Sequence, residues 1–439
     1  MSQTQRYCIK GGHPIVGTIK ILGAKNFATK AMVASLLASG ITKLTNAPAI
    51  GDVLITSDML KSVGSHVQWS SHDVLTIDTT SVFSSNVPLP DSGSNRIPIL
   101  LLSVLLHRLG KAHVPVVAGC DIGQRSVDFH LKAIEMFGGH LSIDETGYYA
   151  EREGRLTACH YKLPYPSVGA TETCLFLGVL AAGTSVIENV AIEPEIVSLI
   201  TMLNLMGAEI RLQPNRQLII HGVEKLEPTQ FHVLGDRIET VSWAALAAAT
   251  NGRITVTGID PTILINFFAP FNAVGGGVQI EDTNTMTFYR KKPLQRTLVE
   301  TDVYPGFSTD WQQPFALMLT QAKGTSIIHE TVYEQRFNYL ADLSKLGVKS
   351  ELEKQCLGSV KCRFRGRDYP HSVLIQGSTE LESFDQELRV PDLRAGLAYI
   401  MAAALAKGTT TLTSIEKIER GYGDLSKRLV NVNLDLRKI

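Results

Sequence analysis

Residues 242–258, SWAALAAATNGRITVTG, contain the pattern that decides the fold. The run 242–249 is apolar on all sides of a helix, and helices of this kind are normally buried all round. Gly252 suits the left-handed position that closes a helix. The following residues, RITVT at 253–257, are rich in the β-branched side chains that favour strands. The stretch therefore predicts a buried helix followed at once by a strand.

The same pattern occurs six times along the 439 residues. Each time an apolar run ends in glycine and a β-branched strand follows, with spacings of 70, 73, 69, 72 and 84 residues. A second helical run closes 23 to 29 residues after each of these marks. The first marks are Gly40, Gly110, Gly183, Gly252, Gly324 and Gly408, and the second marks are Gly64, Gly139, Gly207, Gly276, Gly347 and Asn431.

Each repeat of about 70 residues is predicted to run helix–strand–helix–strand, which gives an α/β architecture of six repeats. The period is too long for a solenoid, and six such repeats divide most simply into two globular halves of three. Because runs such as AMVASLLA at 31–38 and GLAYIMAAALA at 396–406 are apolar all round, we expect buried helices with the sheets outside them. The join is expected near 226–236, LEPTQFHVLGD.

Composition excludes several classes of protein. Lysine plus arginine and aspartate plus glutamate both number 42, so there is no global basic field for nucleic acid. No apolar stretch reaches the ~20 residues needed to span a bilayer, and the N-terminus has no apolar signal core. The six cysteines include no CxxC pair, and neither they nor the dispersed histidines show metal-ligand spacing. We expect a cytoplasmic protein with no nucleic-acid partner, no membrane insertion, no cofactor and no metal.

Polar clusters precede the helices of most repeats. Cations at a helix start oppose the helix dipole, so they suggest a bound anion, and arginine gives bidentate contacts to phosphate or carboxylate. For any one of them, a solvated surface charge is the alternative, and Ser167, Ser308 and Asp392 equally suit plain N-capping. The candidate cations are Lys25, Arg96, Arg125, Arg336, Arg394 and Arg420, and carboxylates in similar positions are Asp52, Glu193, Glu195, Asp310 and Glu334.

Cys120 lies in the glycine-flanked segment Val117–Arg125, five residues before an arginine. A thiol close to cations has a lowered pKa and is more reactive. A small buried residue is the competing interpretation. The other five cysteines are expected in strands or apolar helices, with structural roles.

At these residues the sequence resembles the enolpyruvyl transferases, most closely the branch whose acceptor is UDP-N-acetylglucosamine. The resemblance covers essentially the whole chain and keeps the order of the motifs. The matching segments are 23–26 (GAKN), 119–130 (GCDIGQRSVDFH), 167–171 (SVGAT), 193–197 (EPEIV), 236–240 (DRIET), 309–312 (TDWQ), 330–337 (ETVYEQRF), 392–395 (DLRA) and 419–422 (ERGY).

The resemblance implies a fold of two inside-out α/β barrel domains, each with three repeats, buried helices and outer sheets. Domain I would span 25–234 and carry the Cys120 loop, and domain II would comprise 1–24 plus 235–439. It also implies transfer of the enolpyruvyl group of phosphoenolpyruvate to the 3-hydroxyl of UDP-N-acetylglucosamine with release of phosphate. This is the first committed step of peptidoglycan synthesis, and so serves cell wall biogenesis, cell shape and division. A monomer or weak homo-oligomer is expected.

The roles of individual residues also follow from the resemblance. Cys120 matches the general acid at C3 of phosphoenolpyruvate, which fosfomycin also alkylates, and Asp310 matches the carboxylate at the reacting hydroxyl. Lys25, Arg125, Arg336, Arg394 and Arg420 match ligands of phosphoenolpyruvate, with Lys25 and Arg420 also counted as catalytic. The nucleotide-sugar contacts would be Asn26, Arg96, Arg125, Ser126, Val127, Asp128, Phe129, Ser167, Val168, Gly169, Asp310 and Val332.

Several positions depart from the family pattern. Ser126 replaces a usual proline, the loop before Cys120 reads Val-Ala-Gly, and Tyr165 stands where a nucleotide-binding lysine is usual. Tyr165 stacking on uracil or Lys162 acting from nearby would each restore that contact. A paralogue that uses another nucleotide or sugar and a non-catalytic relative are the alternative functions. About ten extra residues around the basic run Lys361–Arg367 predict a longer surface hairpin in the sixth repeat.

Overall fold

The computed structural model describes residues 5–116, 127–360, 362–391, 396–423 and 425–439. They form two compact units. The N-unit contains the described residues between 23 and 234, and the C-unit contains residues 5–22 together with the described residues from 235 onward. Four of the predicted site residues, Cys120, Arg125, Ser126 and Arg394, lie outside the described residues.

The helices occur in pairs, one pair for each predicted repeat. Three pairs belong to the N-unit and three to the C-unit, and a short helix follows the last pair. Their bounds are α1 (Lys25–Ser35), α2 (Gly51–Ser62), α3 (Pro98–Leu109), α4 (Asp128–Met136), α5 (Val168–Gly178), α6 (Pro194–Leu205), α7 (Arg237–Ala249), α8 (Ile265–Val274), α9 (Gln312–Leu319), α10 (Tyr339–Leu343), α11 (Gly396–Leu405), α12 (Glu416–Tyr422) and α13 (Leu425–Arg428).

The strands are short, mostly of four to six residues, and build six sheets. Their bounds are β1 (Tyr7–Gly11), β2 (Val16–Lys20), β3 (Ile41–Thr45), β4 (His66–Ser71), β5 (Val74–Asp78), β6 (Lys111–Pro115), β7 (His140–Ile143), β8 (Gly147–Glu151), β9 (His160–Lys162), β10 (Thr184–Glu188), β11 (Glu209–Gln213), β12 (Gln217–His221), β13 (Gln230–His232), β14 (Arg253–Thr257), β15 (Gly276–Ile280), β16 (Thr285–Arg290), β17 (Leu298–Glu300), β18 (Thr325–His329), β19 (Ser350–Glu353), β20 (Ser372–Gln376), β21 (Leu388–Arg389), β22 (Gly408–Thr413) and β23 (Asp435–Lys438).

Among the described residues, five of the six sheets share one plan, and in the sixth β1 from the start of the chain takes the place of the hairpin strand beside β22. The strand after the first helix pairs antiparallel with the second strand of a hairpin, and a short parallel strand covers its other edge. The orders are β13-β3-β5-β4, β6-β8-β7 and β9-β10-β12-β11 in the N-unit, and β2-β14-β16-β15, β17-β18-β20-β19 and β21-β22-β1-β23 in the C-unit. In the three-stranded sheet, a single parallel bridge from Asn86 to His113 occupies the position of the fourth strand.

Strand exchange between repeats closes each unit. In the N-unit, β13 at the end of the third repeat pairs in parallel with β3 of the first repeat. In the C-unit, β1 from the start of the chain enters the last sheet between β22 and β23, and β2 pairs with β14. Each unit is therefore a closed set of three sheets.

The first helices of the repeats form the cores. In the C-unit, α7, α9 and α11 contact one another, and every residue of α9 is buried. In the N-unit, α3 packs on α1 and α5, and α5 is buried from Ala170 onward. The expected α/β fold with buried helices and outer sheets is confirmed. Among the described helices, none has the length and apolarity needed to cross a bilayer.

The glycines mark the repeats correctly, but the residue with left-handed backbone at the helix end is not always the predicted glycine. Asn251, Gly138 and Gly275 adopt the positive φ expected at Gly252, Gly139 and Gly276, one residue earlier. Asn431 ends a 3-10 helix and is not left-handed, so that expectation is wrong. The extra residues form the connection between β19 and β20, which places them in the sheet of the fifth repeat and not in the sixth.

Candidate functional site

Lys25 is the first residue of α1, where the sequence analysis expected an anion. Its Nζ lies 3.1 Å from Oδ2 of Asp52, which is in the first turn of α2. The Lys25 side chain is 18% exposed, so this cation is accessible as well as paired. Asp52 is therefore a counterion supplied by the protein, and the helix-dipole argument for a bound anion is not needed here. Asn26 follows Lys25 in α1 and is half-buried.

Close to this pair in electrostatic terms is a group of buried and half-buried charged side chains. Burial lowers the pKa of Lys30, whose electrostatic neighbours include Glu172, Lys25, Asp52 and Glu195. Burial likewise raises the pKa of Glu172 to about 7. Both pKa shifts have the same cause, because burial away from water disfavours the charged form of each side chain. Lys30 and Glu172 carry no signal in the sequence, because each lies inside a helix whose central residues are mostly apolar.

The starts of α4 and α5 bring together two of the predicted nucleotide-sugar segments. Asp128 and Phe129 begin α4 after Val127, and Ser167 caps α5 by accepting a hydrogen bond from the amide of Ala170. His130 links the helices, because its Nδ1 lies 2.7 Å from Oγ1 of Thr173.

Gly169 allows this close approach. A Cβ at position 169 would lie 2.8 Å from Cε1 of His130, which is closer than a side chain tolerates. Val168 follows the cap as the first residue of α5. The structure therefore brings the segments 127–129 and 167–169 together at two adjacent helix starts, where backbone N–H groups favour anionic ligands.

Two further predicted contacts lie at other positions in the N-unit. Arg96 is half-buried and lies two residues before α3, beside Asn95, whose Oδ1 accepts a hydrogen bond from the amide of Ile97. Tyr165 is half-buried just before the α5 cap, and Lys162 is exposed in β9. Tyr165 is thus next to the segment 167–169, as its place in the motif implies.

In the C-unit, Asp310 and Arg336 form an ion pair. Asp310 lies in the 3-10 helix Thr309–Trp311, and its Oδ1 accepts a hydrogen bond of 2.7 Å from Nη2 of Arg336. The same Nη2 lies 2.9 Å from the carbonyl oxygen of Thr309. The Asp310 side chain is 14% exposed, whereas the Arg336 side chain is fully buried.

Arg336 retains unused hydrogen-bonding capacity. Its Nε and Nη1 are buried and have no hydrogen-bond partner within the described part of the chain. A buried guanidinium with unsatisfied N–H groups carries a desolvation penalty unless a ligand accepts from it. A planar fork of N–H groups matches the oxygens of a carboxylate or a phosphate. Arg336 is therefore prepared to bind an anion, while Asp310 fixes the other edge of the guanidinium.

Glu330 organises the loop that carries Arg336, a role not found in the sequence analysis. This fully buried carboxylate accepts hydrogen bonds from Oγ1 of Thr309 at 2.9 Å and Nε2 of Gln312 at 3.1 Å. It also accepts from the amides of Val332 at 2.8 Å and Tyr333 at 3.1 Å. Glu330 thus ties the 309–312 segment to the turn at 330–333. The signal available in the sequence was its place directly after the strand β18.

The remaining C-unit predictions are located as follows. Val332 is nearly buried in the same turn, and its carbonyl oxygen accepts from the guanidinium of Arg363. Arg420 is half-buried on α12. The expectation that cysteines and histidines form no ligand cluster is wrong, because His329, Cys356, Cys362 and His371 converge within the C-unit. The prediction that the other cysteines lie in strands or helices is wrong for three of them: Cys159 directly precedes β9, and Cys356 and Cys362 lie in the loop between β19 and β20.

Comparison with known proteins identifies the family of this chain. The profile of the EPSP synthase family (3-phosphoshikimate 1-carboxyvinyltransferase) matches residues 9–429. UDP-N-acetylglucosamine 1-carboxyvinyltransferase of Protochlamydia amoebophila is 42% identical over 435 residues, which cover 98% of this chain and 93% of that protein. The chain belongs to the enolpyruvyl transferases. The family predicted from the sequence motifs is thereby confirmed. The chain is an enzyme of the 1-carboxyvinyltransferase class.

Other members of the enolpyruvyl transferases extend the comparison. UDP-N-acetylglucosamine 1-carboxyvinyltransferase 3 of Caldanaerobacter subterraneus is 34% identical over 436 residues, covering 99% of both chains. The crystal structure of the enolpyruvyl transferase NikO from Streptomyces tendae superposes with a TM-score of 0.84 at 22% identity, covering 99% of both chains. EPSP synthase from Acinetobacter baumannii gives 0.72 at 15% identity, covering 99% of this chain and 100% of that one. These two structures support the fold alone.

Proposed function

We propose that this enolpyruvyl transferase moves the enolpyruvyl group of phosphoenolpyruvate to the 3-hydroxyl of UDP-N-acetylglucosamine and releases phosphate. The relatives at 34% and 42% identity that carry this activity in their names support the choice of acceptor. The structural observation that supports the proposal is Arg336, a buried guanidinium with two nitrogen atoms unpaired in the described residues. Phosphoenolpyruvate offers both a carboxylate and a phosphate to such a group.

The proposed chemistry has two stages. The 3-hydroxyl oxygen bonds to C2 of phosphoenolpyruvate and passes its proton to the carboxylate of Asp310, while C3 gains a proton from Cys120. The C–O bond to phosphate then breaks as C3 returns a proton to the thiolate of Cys120. The departing phosphate takes up the proton that the hydroxyl lost, which leaves the enol ether and inorganic phosphate. Fixed cations stabilise the phosphate as it leaves, because preorganised charge is most effective where charge develops. Lys25, Arg125, Arg336, Arg394 and Arg420 are the proposed cations.

Asp310 is the proposed carboxylate at the acceptor hydroxyl. Its Oδ1 is engaged by Arg336, and its side chain remains partly accessible. Because the ion pair already fixes the Asp310 side chain, no further conformational entropy of this side chain is lost when the hydroxyl reacts. The 127–129 and 167–169 segments, with Asn26, Arg96 and Val332, are the proposed contacts of the nucleotide sugar.

The wider assignments follow from this reaction. The step is the first committed one of peptidoglycan synthesis, and we assign the enzyme to the cytoplasm, acting as a monomer or weak homo-oligomer on its two small-molecule substrates. The domains are assigned as 25–234 and as 1–24 plus 235–439. A second acceptor remains a candidate because Tyr165 replaces the usual lysine beside the α5 cap.

The test is phosphate release from phosphoenolpyruvate with a panel of acceptors. The panel contains UDP-N-acetylglucosamine, UDP-glucose, UDP-N-acetylgalactosamine and shikimate 3-phosphate. We expect the highest kcat/KM with UDP-N-acetylglucosamine. Preference for another UDP-sugar would support the second candidate, and release with shikimate 3-phosphate alone would refute both.

A further inference from the structure

Four potential metal ligands converge beside β18. His329 is the last residue of β18, and Cys356, Cys362 and His371 belong to the connection from β19 to β20. One ligand atom from each residue lies within 4.8 Å of all the others. In a tetrahedral zinc site, bonds of about 2.0–2.3 Å hold ligand atoms about 3.3–3.8 Å apart. The four side chains are therefore about 1 Å from a closed coordination shell, a distance that small rotations of the side chains cover.

The two histidines are oriented as metal ligands usually are. His329 is fully buried, its Nδ1 lies 3.3 Å from Oε1 of Glu300, and its Nε2 has no partner among the described residues. His371 is also fully buried, and its Nδ1 lies 3.1 Å from the carbonyl oxygen of Tyr369. When Nδ1–H donates to these oxygens, each Nε2 presents a lone pair. A carboxylate or carbonyl behind the imidazole is the common support of a metal-bound histidine.

The loop around the cluster is fitted to this arrangement. Glu300 accepts hydrogen bonds from the amide of Val360 at 2.8 Å and from Oγ of Ser359 at 3.0 Å, besides facing His329. A Cβ at Gly358 would lie 2.0 Å from Oε1 of Glu300 and 2.4 Å from Nδ1 of His329. Only glycine permits the loop to pass so close to the carboxylate–histidine pair.

The sulfur atoms face the same point. Sγ of Cys356 lies 3.3 Å from Nε2 of His371, and Sγ of Cys362 accepts a hydrogen bond of 3.3 Å from the amide of Phe364. An amide that donates to sulfur stabilises a thiolate. Two thiolates and two imidazoles are a ligand set that favours tetrahedral zinc over harder cations.

We propose that His329, Cys356, Cys362 and His371 bind one Zn²⁺ in a structural site of the C-unit. Four protein ligands complete the tetrahedral shell, so the ion stabilises the fold and does not activate water. This site is separate from the proposed transfer chemistry and does not depend on the identity of the acceptor.

The proposed zinc site lies next to the 330–336 loop that carries Arg336. His329 directly precedes Glu330, which pins the turn that leads to Arg336. From the other side, Arg363 follows Cys362, donates to the carbonyl oxygen of Val332 and lies 4.0 Å from Glu334. Zinc would therefore join the β19–β20 connection to β18 and support the 330–336 loop at its start and at residues 332–334.

The test is the metal content of the full-length protein, purified under reducing conditions without chelator after growth with zinc. We expect about one zinc per chain, the stoichiometry of a single four-ligand site. The variants Cys356→Ser and Cys362→Ser should each lose the zinc, whereas the control Cys8→Ser, whose thiol lies 3.6 Å from Oγ1 of Thr411, should retain it.

A second measurement covers variants that do not fold. Co²⁺ added to the reduced, metal-free wild type should give the absorption bands of tetrahedral cobalt with thiolate ligands, and Zn²⁺ should abolish them. Zinc should also slow alkylation of Cys356 and Cys362 but not of Cys8. The proposal is overturned by wild-type protein that binds neither metal, by equal zinc in all variants, or by an intact mass two hydrogens lower that maps to a Cys356–Cys362 disulfide.

Discussion

Replacing Arg336 with alanine should reduce kcat/KM for phosphoenolpyruvate by about a hundredfold or more. The two guanidinium nitrogen atoms without a partner in the described residues, Nε and Nη1, are the donors available to substrate. Hydrogen bonds to charged groups contribute about 1.5–3 kcal/mol each, so losing two costs at least about 3 kcal/mol. Since each 1.36 kcal/mol corresponds to about a tenfold change in rate, the loss exceeds two powers of ten.

The assay is phosphate release at saturating UDP-N-acetylglucosamine with phosphoenolpyruvate varied. Arg336→Lys keeps the charge but not the fork, so it should recover only part of the loss. The control is Arg253→Ala, an exposed arginine on β14 of the same unit that should stay within about twofold of wild type. If Arg336→Ala also stayed within that range while folding normally, Arg336 would have no part in substrate binding.

Four other outcomes are expected. Arg420→Ala or Arg125→Ala should each cost at least about 2 kcal/mol of transition-state stabilisation, and wild-type kcat/KM in both would show ordinary surface charges. Fosfomycin should form one adduct per chain on Cys120, and it should form faster when the UDP-sugar is present. Cys120→Asp should block the adduct but retain some turnover, whereas Cys120→Ser should lose most activity. Peptide mapping that finds the adduct on another cysteine would contradict the assignment of Cys120. Burial raises the pKa of Glu172 from 4.5 to about 7, so between these pH values the folded state holds a proton that the unfolded state releases. The free energy of unfolding should therefore fall as pH rises from about 4.5 to about 7. In thermal unfolding, Glu172→Gln should flatten this fall, and a variant with the wild-type pH profile would show that Glu172 does not cause it. Removing zinc with a chelator should lower the unfolding temperature and raise KM for phosphoenolpyruvate. If chelation changed neither quantity, the ion would not stabilise the fold.

The repeat was predictable because its signals are local. A helix that ends near glycine and a β-branched strand that follows are read within about 20 residues, and six copies remove the ambiguity of one. The one-residue errors at Gly252 and Gly276 arose because Asn251 and Gly275 also tolerate positive φ. Sheet closure was not predictable, since the entry of β1 between β22 and β23 joins residues about 400 positions apart.

The site was predictable only as far as motifs reach. Lys25 begins α1 and Arg336 lies three residues before α10, but their partners Asp52 and Asp310 are fixed by packing between elements. The metal ligands escaped detection because His329 comes from a different strand, and Cys356 and Cys362 are separated by five residues and not two to four. Spacing rules find ligands at short fixed intervals, whereas this cluster combines His329 of β18 with three ligands of one long loop.

The most direct test of the proposed transfer is the identity of the product formed from phosphoenolpyruvate and UDP-N-acetylglucosamine. Proton NMR and mass spectrometry of the isolated nucleotide sugar should show an enolpyruvyl ether on the 3-oxygen, formed mole for mole with inorganic phosphate. Unchanged UDP-N-acetylglucosamine with no phosphate, or phosphate accompanied by pyruvate and no ether, would contradict the account.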